Sequence, residues 1–182
     1  ALDLRTGRPL DTTPPVVASV RALVKIGDVV VVGGERPFTA PLATPDVTAF
    51  LATTGAPIPW SLASNGSVDA LAADGRRLYL GGRFSLLSGT PRLNLASVDL
   101  TTAALTSWNP SPDSSVARLA ISSDALFAAG AFNSLIGYGR PGVAAFSTAN
   151  GEVVPFKPGR AGLVEVDDFG IYRDRVLLAG SP

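Results

Sequence analysis

Glu165-Val166-Asp167-Asp168 crowds three carboxylates into four residues, and paired carboxylates are what general acid/base work on a glycosidic bond requires. Spacing decides which of them could cooperate. Adjacent Asp167 and Asp168 point to opposite faces of an extended strand and cannot flank one bond, whereas Glu165 and Asp167 share a face and could hold a cation or act together. A solvated acidic strand start accounts for them more simply. The arginines form a second group. Arg36, Arg83, Arg92 and Arg140, with Asn94, Asn133 and Tyr138, make a polar set able to hold a carboxylate or a hydroxylated ligand. Arg92 and Arg140 stand 48 residues apart at equivalent places, so they could equally brace their own units. A third group is Arg21, Asp69 and Asp167, with Arg118 and Asp168 one position on; opposite charges at such places either line a channel or pair across neighbouring units.

Other chemistry is excluded by composition. The 182 residues include no His, Cys or Met, which removes a Ser-His-Asp triad, a thiol nucleophile, a disulfide framework and an ordinary zinc or copper site. No catalytic residue, metal ligand or cofactor is therefore assigned. Lys+Arg and Asp+Glu are both 15, so no long-range field favours nucleic acid or an anionic membrane. No stretch has the apolar length of a membrane-spanning helix, and the first residues carry no signal-peptide pattern. With 46% hydrophobic residues the chain has enough to bury a substantial core.

The elements that must carry these side chains are repeated. An apolar run into a glycine doublet, Leu78-Tyr79-Leu80-Gly81-Gly82-Arg83-Phe84, returns with its second glycine at 34, 82, 130 and 180, spaced by 48, 48 and 50. Turn positions 7, 55, 103 and 151, and the aromatics Trp60, Trp108 and Phe156, keep the 48-residue register. The aromatics could form a stacking platform for a sugar or peptide; packing between units explains their fixed place more economically. Pro and Gly punctuate the chain, no segment reads as a long helix, and strands such as Val29 to Val32 are apolar on both faces, so both faces must be covered. Four short strands per repeat, stacked so that each sheet covers the next, describe an all-β chain forming a β-propeller of four-stranded antiparallel blades. A β-sandwich would not need several markers to return in one register. The expected units are 12–61, 62–109 and 110–157. Residues 1–11 supply strands three and four of a split blade, and 158–182 its strands one and two. These make either a four-bladed ring or a segment of a larger propeller.

Strand, Gly-Gly-x-Phe, variable loop, Asn94-Leu95-Ala96-Ser97-Val98-Asp99 and closing Trp108-Asn109-Pro110 resemble the bacterial propeller repeats of unknown function, and the pattern is also similar to kelch repeats. The resemblance covers nearly the whole chain. It implies a non-catalytic module that binds a protein or glycan through its loop face, in an extracellular or cell-surface setting. A carbohydrate-active hydrolase or lyase with carboxylates at the channel mouth is the other reading. The copper ligands of kelch-like oxidases include His and Cys, which this chain lacks.

Overall fold

The computed structural model describes residues 19–35, 46–135, 137–139, 141–156, 165–172 and 175–181, and all regular structure among them is β. Strands β1 (Ser19–Ile26), β2 (Val29–Glu35), β3 (Val47–Leu51) and β4 (Pro57–Leu62) form one antiparallel sheet in chain order. Next come β5 (Ser67–Ala73), β6 (Arg77–Arg83), the two-residue strands β7 (Leu86–Leu87) and β8 (Thr90–Pro91), and β9 (Leu95–Asp99). Of these, β5, β6 and β9 make the second sheet, while β7 and β8 form a hairpin on the connection from β6 to β9. The third unit repeats this plan with β10 (Val116–Ile121), β11 (Ala125–Gly130), β12 (Ser134–Leu135), β13 (Tyr138–Gly139) and β14 (Val143–Ser147). Finally β15 (Glu165–Tyr172) pairs with β16 (Arg175–Ser181). The strands expected in residues 1–11 lie outside the described residues.

A two-stranded sheet alone is marginally stable, and strands apolar on both faces need cover on both; stacking supplies it. Val31 and Ala49 of the first sheet share a buried cluster with Val68, Leu71 and Leu80 of the second. Tyr79 and Leu95 then meet Val116, Leu126 and Phe146 of the third, and Ala129 and Val143 meet Phe169 of the last. Burial of a Val, Leu or Phe side chain contributes about 1.5–3 kcal/mol, which exceeds any β-propensity difference along these strands. At the two ends the pattern stops. Leu23 is exposed where its counterpart Leu71 is buried, and Leu177 is exposed where Tyr79 is buried. Among the described residues the array therefore has two open ends and no closed ring.

Two details differ from the sequence expectation. Among the described residues only the first sheet has a full fourth strand; in the second and third it contracts to single bridges, Val98 with Leu105 and Phe146 with Val153. Local partners take over there. In the second sheet the Thr106 carbonyl accepts from Arg92 and the Trp108 amide donates to Thr106 Oγ1. The second difference is a β-bulge in every innermost strand, between Val20 and Ala22, Val68 and Ala70, Val116 and Arg118, and Val166 and Asp168. The bulged residues are Arg21, Asp69, Ala117 and Asp167. A bulge suspends the strict alternation of side chains, so the strand argument that separates Asp167 from Asp168, and joins it to Glu165, does not hold at that point.

Candidate binding face

The bulge places charge at one end of the sheets. Arg21 leaves the ladder beside the end of its neighbour β2, and its guanidinium donates to Glu35 at 2.7 Å. One repeat on, Asp69 occupies the bulge and Arg83 the strand end, with Arg83 Nε 3.8 Å from Asp69 Oδ2. The signs are exchanged between the two units, so they also attract each other, and Arg21 Nη1 lies 3.5 Å from Asp69 Oδ1. Ser67 Oγ donates to Asp69 Oδ2 at 3.0 Å. Glu35 first, then Asp69, raise the Arg21 guanidinium above its ordinary pKa. Arg118 and Asp168 repeat the cross-unit pairing at 3.3 Å, with both side chains largely exposed. Exposed pairs of this kind contribute about 0–1 kcal/mol each; their value lies in where they hold the charges.

Among the residues singled out by sequence, Arg21, Asp69 and Arg83 come together. Arg83 has a side chain 68% exposed, leaving most of its donors to solvent. Arg92 and Asn94 go elsewhere. Arg92 donates to the carbonyls of Pro91 and Thr106, both at 2.8 Å, bracing its own unit, and Asn94 Nδ2 donates to the Pro112 carbonyl at 3.0 Å. Asn94 thereby repeats a strut of the first unit, where buried Asp46 accepts from the Ser64 amide at 2.7 Å. Asn133 is exposed, its amide donating to Asp113 at 2.8 Å. Arg36 and Arg140 lie outside the described residues, as do the side chains of Tyr138 and Asp167.

Three contributors escape the sequence reading. Glu35 completes the charged cluster. Asn65 and Asp113, 48 residues apart, each pin the connection after the second strand: Asn65 Oδ1 accepts from the Ser85 and Leu86 amides at 2.9 Å, and Asp113 Oδ1 from Asn133 and Ser134. Their shared register is visible in the sequence. The Asn65 anchor fixes the start of the β7–β8 hairpin, and this connection presents Leu86 and, after β8, Leu93 at 39% and 43% exposure.

The sheet stacking has counterparts among solved structures. The chain is similar to the computationally designed Ika4 protein, with a TM-score of 0.64 at 13% identity, covering 93% of this chain and 90% of that one. It resembles the designed Ika8 protein (TM-score 0.54, 12% identity, 88% of this chain and 42% of that one). The WD40 domain of Neurospora crassa Pan2 is also similar (TM-score 0.55, 14% identity, 82% of this chain and 43% of that one). WD40 domains are β-propellers, so these likenesses show propeller-type stacking of the sheets, which are blades in that sense. No family model and no curated protein matches the sequence.

Proposed function

We propose that the chain is a non-catalytic binding module that holds a protein partner on the face carrying the connections between second and third strands. The observation behind this reading is the exposed Arg83 at the charged cluster, on the same connection as the exposed Leu86 and Leu93 and their Asn65-anchored hairpin. Interfaces favour Arg beside apolar side chains on a pre-organised surface. The polar groups alone would suit a glycan; Leu86 and Leu93 favour a protein carrying an acidic residue next to an apolar one. The reading as a carbohydrate-active enzyme gains no support from Asp69 and Glu35, which both face Arg21. Exposed Leu23 and Leu177 are surfaces that further blades of a larger propeller would cover.

The test is a quantitative affinity capture from the source cells with three baits: the parent, an R83E/L86D variant, and a T102K variant on the opposite ends of the strands. A partner retained by parent and T102K but lost with R83E/L86D supports the loop face. A partner held equally by all three overturns it.

A further inference from the structure

A cavity of about 190 Å³ lies between the first and second blades, at the opposite ends of the strands from Arg83. Ile26, Val29, Val31, Trp60, Gly75 and Leu100 are among its lining residues. An enclosed apolar cavity of roughly 150 Å³ accepts a benzene ring, so this half-open cleft has the volume for one. The repeat itself says what shape is missing here. Val31, Tyr79 and Phe127 are the same position of the second strand, and Trp60, Trp108 and Phe156 the same closing aromatic. In the second blade the Tyr79 ring meets Trp108 edge to face, with centroids 5.5 Å apart and planes at 89°. In the third, Phe127 meets Phe156 at 5.3 Å and 76°. Only valine stands at that position in the first blade, so Trp60 has no ring across from it, and the cavity is where one would lie.

The polar groups follow the same comparison. Trp108 Nε1 donates to the Gly151 carbonyl of the next blade at 2.7 Å. Trp60 Nε1 is buried with no partner among the described residues, a state that costs about 1–3 kcal/mol if left unmet. In the second interface Arg77 reaches the Thr148 carbonyl at 2.9 Å and Tyr79 its hydroxyl partner Asp74 at 2.9 Å. Val29, Val31 and Ile26 stand in the first where Arg77, Tyr79 and Asp74 stand in the second, and they supply neither the ring nor the polar closure.

We infer that the cleft beside Trp60 is a binding site for a free, single-ring aromatic molecule, its ring taking the place that Tyr79 and Phe127 take in the neighbouring blades. The site is separate from the loop face and does not depend on the partner proposed there.

The chain has two tryptophans, so its nitrogen-15 correlation spectrum has two indole N–H signals, assigned by W60F. Titration with p-cresol, the tyrosine side chain as a free molecule, is expected to move the Trp60 signal saturably while Trp108 stays in place. V31F, which installs the ring that the third blade already carries, should abolish that response and raise the unfolding temperature. W60L keeps an apolar side chain but loses the flat ring that lines the cleft, and should weaken p-cresol binding at least fivefold by calorimetry. The inference is overturned if both indoles drift together without saturation, if V31F binds as the parent does or fails to fold, or if W60L binds undiminished.

Discussion

The indole nitrogen of Trp108 donates across a blade boundary to the carbonyl of Gly151, at 2.7 Å. The same ring is met edge-on by Tyr79 of its own blade and by Phe146 of the next, at 5.5 and 5.2 Å. One side chain thus joins two sheets through a hydrogen bond and two aromatic contacts, worth about 1 kcal/mol apiece. A bead-like array of separate sheets becomes a cooperative unit through such joints.

Substitution at either partner should loosen that boundary. W108F keeps a ring and loses the donor, leaving the Gly151 carbonyl short of a partner, and should cost about 1–2 kcal/mol in urea denaturation. G151A should cost more, because a Cβ there would lie 2.4 Å from Trp108 Cδ1 and the backbone φ is +76°. Equal losses would mean that ring contact, and not the close approach, holds the joint.

Turn positions 55, 103 and 151 share a left-handed backbone, with φ of 68°, 58° and 76°, but the middle one is alanine. A Cβ in that region costs about 1–2 kcal/mol. A103G should therefore raise stability by about 1 kcal/mol, an unusual gain for a change to glycine, read as a higher denaturant midpoint at unchanged m-value.

The glycine doublet separates two kinds of constraint. A Cβ on Gly81 would meet Val116 Cγ1 at 2.7 Å, a side chain of the next blade, whereas one on Gly82 would lie 2.0 Å from the Ser67 carbonyl oxygen beside the bulge. A side chain can give way and a backbone bulge cannot, so G82A should cost about 3 kcal/mol or more and G81A less. Ala129 already occupies the first place of the third doublet, while Gly130 keeps the second, 2.1 Å from Ser115 O by the same measure.

That contrast marks what the sequence could disclose. The second glycine recurs because one backbone geometry recurs, and its stringency is legible from Ala129 and Ala179 at the first position alone. The bulges are not legible, because Arg21, Asp69, Ala117 and Asp167 share a register but no chemistry; pairing with the next strand creates the bulge. The β7–β8 hairpin reads as loop, although Ser88-Gly89, at φ of 48° and 77°, is a turn signal of the type that closes two-residue hairpins. Arg21 and Asp69 are visible as a matched pair through their spacing. Glu35 is not, since its counterpart Arg83 has the opposite charge and only their contact with the bulge explains both. Asn94 reads as a ligand group for want of any sign that Pro112 O would lie beside it.

Asp113 provides a pH-dependent counterpart to these backbone effects. Amides of Ser134 and Asn133 hold its carboxylate below the usual aspartate range, and those of Thr102 and Thr101 do the same for Asp99. A depressed folded-state pKa means that stability is fully present above the unfolded value, about 3.9, and is lost as pH falls through the lower folded one. Denaturation midpoints should be nearly level from neutrality to about pH 5 and fall below that. Asn65 performs the same pinning in the second blade with a neutral amide, so D113N can keep its acceptor oxygen while losing the titration. The variant should fold, keep a denaturation midpoint close to the parent's near neutrality, and show a shallower acid slope. A slope unchanged from the parent would place the acid sensitivity on other carboxylates. D99N supplies the comparison, because its amide would face the Thr101 and Thr102 donors through one oxygen as the carboxylate does now, at 2.9 and 3.0 Å. The two slopes should add in the double variant, since the turns sit at opposite ends of the strands and share no hydrogen-bond partner.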